Sequence, residues 1–124
     1  ISQAVKSVVA YEHFLEHVKI NDRQMLVIPV NDSDILDNVG GAHWSVLIYL
    51  RATNTFYYYD SWQNHNLPHA NIIMDKLVDY MGIKNTNPEL MVVECAQQVN
   101  SYDCGIYTVT ALEMFIYTIQ YDSE

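Results

Sequence analysis

Residues 97 to 105 read Gln-Gln-Val-Asn-Ser-Tyr-Asp-Cys-Gly and lead into an apolar run with helical spacing, residues 106–120. This pattern predicts a loop followed by a helix that begins beside Cys104. The partial positive charge at a helix N-terminus favours the thiolate, which is the nucleophilic form of cysteine. Gln98, six residues earlier, carries an amide that can donate a hydrogen bond to an oxyanion. Cys104 is therefore the candidate nucleophile and Gln98 the candidate oxyanion donor.

The composition is that of one folded domain. The chain has 124 residues, and 50% of them are hydrophobic, so it can bury a core. It contains no run of about 18 apolar residues, the length of a membrane span, and residues 1–10 lack the zones of a signal peptide. A soluble intracellular protein is the expectation. In a reducing compartment Cys95 and Cys104 are predicted to be free thiols rather than a disulfide.

The charge balance excludes some partners. Six Lys and Arg residues against fifteen Asp and Glu residues give a formal net charge of −9, which repels nucleic-acid phosphates and anionic membrane surfaces. Neither nucleic acid nor a membrane is an expected partner. Two interpretations of the acidity remain open: it only keeps the protein soluble, or it forms a face that receives a basic protein surface.

The remaining sequence predicts an α+β fold, with a mostly antiparallel sheet flanked by helices. We expect loops at residues 31–41 and 62–68, where polar residues, Gly and Pro cluster. Hydrophobic periodicity sets the predicted elements. In chain order they are a helix over 2–17, a strand over 25–30, a hairpin of strands 43–50 and 56–60, a helix from Ala70 to Met81 ended by Gly82, a strand over 91–95, and the helix after Cys104.

The predicted hairpin brings a histidine and an aspartate to one end of the sheet. His43 begins its first strand and Asp60 ends its second, and antiparallel pairing places these positions near each other. Asp60 would then orient the imidazole of His43 and stabilise its protonated form. His43 would in turn take the proton of Cys104.

Each of these residues also has a purely structural interpretation. A lone Cys104 would be a small buried hydrophobe, and His43 a hydrogen-bonded sheet residue. Asp60 with Ser61 would form a turn, and Gln98 would be a solvated loop residue. The spacing alone leaves these alternatives open, because nothing in it proves that the hairpin end meets the Cys104 helix.

Three separated motifs resemble the sentrin/SUMO-specific cysteine protease family, which processes ubiquitin-like modifiers. The motifs are His43-Trp44-Ser45, Tyr59-Asp60-Ser61 and the stretch from Gln97 to Gly105, in the same chain order. The Asn-Ser-Tyr-Asp-Cys-Gly motif and the Gly-Gly before His43 look most like the deneddylase branch.

The resemblance implies a papain-like cysteine protease core and a site without metal or cofactor. It implies that Cys104 is the nucleophile, His43 the general base and then acid, Asp60 its orienting partner and Gln98 the oxyanion donor. Trp44 is implied to bind substrate, as the cover of a narrow tunnel that admits only a diglycine end. Its alternative role is that of a core anchor. The implied partners are a ubiquitin-like modifier and its conjugates, met by a monomer in the cytoplasm, the nucleus or both.

The sequence departs from that family at both ends. Family members carry an upstream segment with a Trp-Leu-Asn-Asp element and a helical segment after the cysteine helix, whereas this chain runs from Ile1 to Glu124. We expect one catalytic domain, residues 1–124, that lacks both segments. The expected function is a deneddylase that cleaves after a C-terminal diglycine. The alternatives are a SUMO-specific isopeptidase and an inactive relative that only binds the modifier.

Two other features carry no predicted site. His13 and His17 have the spacing of two metal ligands on a helix, but without a third ligand they are expected to be solvated. His65 and His69 flank Pro68 in a polar stretch and show no ligand pattern. No metal is predicted.

Overall fold

An antiparallel hairpin forms the centre of the sheet, as the sequence predicts. The computed structural model describes residues 12–32 and 43–122. Strand β1 spans Met25–Asn31, β2 spans Trp44–Leu50, β3 spans Thr55–Tyr59 and β4 spans Glu89–Val92. Residues 12–17 are helical (α1), α2 spans Leu67–Met81 and α3 spans Cys104–Asp122. Short 3-10 turns lie at Ile20–Asp22, Arg51–Thr53 and Lys84–Thr86.

The hairpin register fixes where its two flanking residues lie. In the β2–β3 pair Val46 faces Tyr59 and Leu50 faces Thr55. The connection is the Arg51–Thr53 turn followed by Asn54, whose φ of 51° is one that asparagine tolerates better than most residues. His43 immediately precedes β2 and Asp60 immediately follows β3, so both lie at the same end of the hairpin.

The sheet has the order β1-β2-β3-β4 and helices on both faces. β1, β2 and β3 pair antiparallel, whereas β3 and β4 are parallel, and α2 lies between those two strands in the chain. The prediction of a mostly antiparallel α+β fold is confirmed. β2 is buried on both faces because Leu47 and Tyr49 join the core with α2, whereas Val46 and Ile48 pack against Phe115 of α3.

Several predicted boundaries are wrong. The hairpin strands were predicted over 43–50 and 56–60, but β2 begins at Trp44 and β3 spans Thr55–Tyr59. The loop was expected to reach residue 68, but α2 begins at Leu67 with Pro68 in its first turn, where a missing backbone N–H costs nothing. The strand expected over 91–95 is β4, Glu89–Val92. It ends early because β3, its partner, ends at Tyr59, and the N–H of Val93 makes a last bond to the Tyr58 carbonyl (2.9 Å). Gly82, with a φ of 66°, ends α2 as predicted.

The remaining predictions concern the chain ends and the thiols. The N-terminal part of the helix predicted over 2–17 and nearly all of the loop over 31–41 fall outside the described residues. Cys95 and Cys104 are both free thiols, as expected. His13 and His17 are exposed, and within residues 12–32 and 43–122 no cluster of three His, Cys, Asp or Glu side chains could hold a metal. No helix in the described part of the chain is both long and apolar enough to cross a membrane.

Candidate active site

The end of the hairpin holds a buried histidine–aspartate pair. The Nε2 atom of His43 lies 2.6 Å from Oδ1 of Asp60, and neither side chain is exposed to solvent. The β2–β3 register predicts that these residues lie at one end of the sheet, and the side chains do meet. A short hydrogen bond in a dry environment fixes both the ring orientation and the nitrogen that carries the proton.

The Asp60 carboxylate is held by several further donors. Oδ1 accepts from the N–H of Trp62 (2.9 Å), and Oδ2 accepts from the N–H of Asn66 (2.9 Å) and the hydroxyl of Tyr58 (2.5 Å). Burial acts to raise the pKa of Asp60, but the hydrogen bonds from Tyr58, Asn66, Trp62 and His43 outweigh it and hold the pKa below the usual 3.8. Asp60 is therefore the anionic partner of His43.

Hydrogen bonding leaves one nitrogen of His43 available. Its Nδ1 atom is buried and has no hydrogen-bond partner among the described residues. Because Nε2 is engaged with Asp60, Nδ1 is the atom that can exchange a proton with a neighbouring group. Buried polar atoms are usually paired, so an unpaired one requires a physical explanation.

Cys104 is the first residue of α3, whose first turns contact the start of β2. The Thr108 hydroxyl, one helical turn later, is 2.8 Å from the Cys104 carbonyl and 3.3 Å from the carbonyl of Trp44, the residue after His43. These contacts hold the first turns of α3 against the start of β2. Cys104 is buried, with 7% of its surface exposed.

The loop before α3 is fixed by Asn100, a residue that the sequence reasoning did not single out. The side-chain oxygen of Asn100 accepts from the backbone N–H groups of Tyr102 (3.1 Å) and Asp103 (2.9 Å), and its amide donates to the Asp103 carboxylate (2.6 Å). The carbonyl of Asp103 accepts the first hydrogen bonds of α3. Asn-Ser-Tyr-Asp is a composition typical of such turns, which is the signal that could have identified Asn100.

Gln98 is tied to the residue that follows Asp60. Its backbone N–H donates to the Ser61 carbonyl (2.8 Å), and its side-chain oxygen accepts from the Ser61 hydroxyl (2.6 Å). The amide nitrogen donates to the Asn100 carbonyl (2.7 Å). An amide has two N–H hydrogens, and this bond uses one of them. Gln98 is therefore an anchored residue of the loop that leads to Cys104, not a freely solvated one.

Trp44 lies at the surface. It is the first residue of β2, it pairs with Asn31 of β1, and 45% of its surface is exposed. Exposure of this size does not fit the alternative role of a core anchor. Trp44 is placed one residue from His43, with its carbonyl in contact with α3.

Sequence reasoning missed two more residues that support the pair. The Tyr58 hydroxyl bridges Asp60 and Ser45, and burial, together with the hydrogen bond to Asp60, raises the pKa of Tyr58. Asn66 is fully buried, and its amide donates to the backbone carbonyls of Val30 (3.2 Å) and His43 (3.0 Å). Neither residue carries a recognisable local pattern, because the contacts of Tyr58 with Ser45 and of Asn66 with Val30 and His43 join residues far apart in the chain.

Comparison with protein families gives one match over almost the whole chain. Residues 5–124 match the model described as the Ulp1 protease family, C-terminal catalytic domain. Among curated proteins, sentrin-specific protease 8 of Homo sapiens is 34% identical over 100 residues, which cover 81% of this chain and 47% of that protein. NEDD8-specific protease 1 of Arabidopsis thaliana is 32% identical over 98 residues, which cover 76% of this chain and 42% of that protein. The chain thus spans about half the length of the curated relatives it matches.

Solved structures show the same fold. SUMO protease Ulp1, with its catalytic cysteine oxidised to a sulfonic acid, superposes with a TM-score of 0.59 at 23% identity and covers 81% of this chain and 46% of its own. The C-terminal Ulp1 protease domain in complex with Smt3, the yeast ortholog of SUMO, gives a TM-score of 0.53 at 24% identity. The match covers 76% of this chain and 42% of that chain. With a family match over residues 5–124 and this fold, the chain belongs to the Ulp1 protease family.

Proposed function

We propose that this protein is a cysteine-type isopeptidase that cleaves after the C-terminal diglycine of a ubiquitin-like modifier. The observation that carries the proposal is the buried 2.6 Å bond between His43 and Asp60, with Nδ1 of the same ring unpaired and Cys104 at the adjacent helix start. A nucleophile, a base and a group that orients the base are the parts that acyl transfer requires.

The chemistry follows from these positions. Asp60 accepts the Nε2–H of His43, which leaves Nδ1 to take the proton from the Cys104 thiol. The thiolate attacks the carbonyl carbon of the terminal glycine, and the C–N bond breaks as His43 returns the proton to the leaving amine. Water, deprotonated by His43, then hydrolyses the thioester and releases the modifier with a free carboxylate. These steps use only groups of the chain and water.

Gln98 and Trp44 have supporting roles in this scheme. The amide of Gln98 and the backbone N–H of Cys104 stabilise the oxyanion of the tetrahedral intermediate. Trp44 lies over the diglycine end, where its exposed ring excludes residues with larger side chains. The conjugates of the modifier are the proposed substrates of a monomeric protein in the cytoplasm or nucleus.

NEDD8 is the proposed modifier. Relatives named NEDD8-specific proteases, from Arabidopsis thaliana and Schizosaccharomyces pombe, are 28–33% identical to this chain. The alternative modifier is SUMO, because a structural neighbour was solved in complex with Smt3. That neighbour is 24% identical, so it supports a shared fold rather than a shared modifier.

A probe with an electrophile in place of the terminal glycine carboxylate tests the proposal. NEDD8 and SUMO vinyl sulfones are incubated separately with the wild-type chain and with Cys104→Ala and Cys95→Ala. We expect the NEDD8 probe to add covalently to the wild type and to Cys95→Ala, but not to Cys104→Ala. Peptide mass spectrometry locates the adduct.

Each outcome decides between the candidate functions. Faster capture of the SUMO probe would favour the SUMO-specific isopeptidase. Binding of either modifier without covalent capture would favour the inactive binding module. An adduct on Cys95 would show that the nucleophile was chosen wrongly between the two thiols.

A further inference from the structure

Two partly exposed rings cover the imidazole of His43. The centroid of the Trp62 ring lies 5.4 Å from that of His43, and the centroid of the His65 ring lies 5.8 Å from it, both edge-on. Trp62 and His65 stack on each other at 4.6 Å with an interplanar angle of 24°. Trp62 is 41% exposed and the His65 side chain 46%, whereas His43 is fully buried. The stack therefore lies between His43 and solvent.

Hydrogen bonds link Trp62 directly, and His65 through Asp32, to the His43–Asp60 pair. The backbone N–H of Trp62 donates to Oδ1 of Asp60, the same oxygen that His43 contacts. On the other side, Nε2 of His65 lies 3.3 Å from Oδ2 of Asp32, at the end of β1. Oδ1 of Asp32 accepts from the backbone N–H of His43 (3.3 Å).

These contacts connect five residues in a closed cycle. The cycle runs from His43 to Asp60, Trp62, His65 and Asp32, and back to His43. Asp60 holds the imidazole from one end, and Asp32 holds the backbone of the same residue from the other. His65 makes two of these contacts, the stack on the Trp62 ring and the polar contact with Asp32, and substitutions can remove them separately.

We propose that His65 is a positioning residue, which closes the Trp62 ring over His43 and so keeps water away from the bond between His43 and Asp60. The inference rests on the proposed function, since it concerns the proposed base. A shielded hydrogen bond is stronger than a hydrated one and holds the imidazole in one orientation. Misplacing a base by about 1 Å is enough to slow a reaction about 100-fold.

Two substitutions at His65 separate the effect of its stacked ring from the effect of its contact with Asp32. His65→Ala removes both the stacked ring and the contact with Asp32. His65→Phe keeps a ring of similar size on Trp62 and removes only the contact with Asp32. His69→Ala is the matched control, because it changes a histidine four residues further on, in the first turns of α2.

The main measurement is proton exchange at His43, which does not require activity. The Nε2–H of His43 gives a downfield proton NMR signal when it is bonded to Asp60, and its exchange with water reports the shielding. We expect exchange about tenfold faster or more in His65→Ala, because water then reaches the ring. Wild type, His65→Phe and His69→Ala should exchange within about threefold of one another.

The second measurement is single-turnover capture of a modifier vinyl sulfone at saturation. We expect about tenfold slower capture in His65→Ala with unchanged modifier affinity, and near wild-type capture in His65→Phe. Wild-type exchange in His65→Ala would overturn the proposal, and so would equally fast exchange in His65→Phe and His65→Ala. If the wild-type chain captures no probe, the proposed function fails, and the exchange rates still test the role of His65.

Discussion

The Nε2 atom of His43 and the Oδ1 atom of Asp60 lie 2.6 Å apart, although the two residues are 17 positions apart in the chain. The antiparallel β2–β3 register brings them to one end of the sheet, and burial of both side chains removes competing water. The backbone N–H groups of Trp62 and Asn66 and the Tyr58 hydroxyl bond to the same carboxylate. The pair is therefore fixed by the fold before any substrate binds.

Replacing the carboxylate of Asp60 should disable the proposed base. Asp60→Asn puts an NH2 group among donors, the N–H groups of Trp62 and Asn66 and the hydroxyl of Tyr58, so it can no longer accept from all of them. We expect a loss of turnover of roughly 100-fold or more, the usual range for general base catalysis. Steady-state cleavage of a modifier fusion measures it. Turnover in Asp60→Asn close to that of an Asp75→Asn control would contradict the orienting role.

The lowered pKa of Asp60 predicts a loss of stability in acid. Its pKa in the folded protein is below the ordinary 3.8, so the unfolded chain binds the proton more readily. The stabilisation is present above about pH 4 and is lost as the pH falls through the folded-state pKa. Between pH 5 and pH 3, the free energy of unfolding measured with urea should fall further for the wild type than for Asp60→Asn.

Asp75→Asn is the control for this pH dependence. Asp75 is an exposed carboxylate on α2, so its substitution should preserve the wild-type drop. Equal drops in Asp60→Asn and the wild type would mean that Asp60 does not carry the acid sensitivity.

The two adjacent glutamines should have separable effects. Gln98→Ala removes the proposed oxyanion donor, so we expect the turnover rate to fall on the order of 100-fold while modifier affinity stays unchanged. Gln97 instead donates to the carbonyls of Asp60 (3.0 Å) and Cys95 (3.1 Å) and accepts from the N–H of Gln63 (2.7 Å). Gln97→Ala should therefore lower stability and reduce turnover less. Single-turnover rates and urea midpoints distinguish the two, and a pure affinity defect in Gln98→Ala would exclude the oxyanion role.

Neighbouring positions on α3 should differ in their contribution to stability. Phe115 is buried between Tyr57 and Tyr59, with ring centroids 5.0 and 6.2 Å away, so Phe115→Ala should cost about 3–5 kcal/mol of unfolding free energy. Met114 is 66% exposed, and Met114→Ala should change the free energy of unfolding by about 0.5 kcal/mol or less. Chemical denaturation measures both. A similar cost for the two would show that α3 does not pack on the sheet through Phe115.

The sequence by itself determined the features that depend on neighbours along the chain. Two β-rich runs joined by a short polar segment predicted the β2–β3 hairpin, and Gly82 predicted the end of α2. The apolar run after Cys104 predicted that α3 begins at this residue. These signals are local, because periodicity, turn chemistry and capping depend on residues a few positions apart. The motif order added the four candidate catalytic residues.

The tertiary structure alone decided which distant groups meet. β4 ends at Val92 because β3 ends beside it, and the contacts of Asn66 join the ends of β1, β2 and β3. The contact between His65 and Asp32 joins residues 33 positions apart. Such contacts leave no periodic pattern, since their geometry is set by how the strands and helices pack rather than by any local preference.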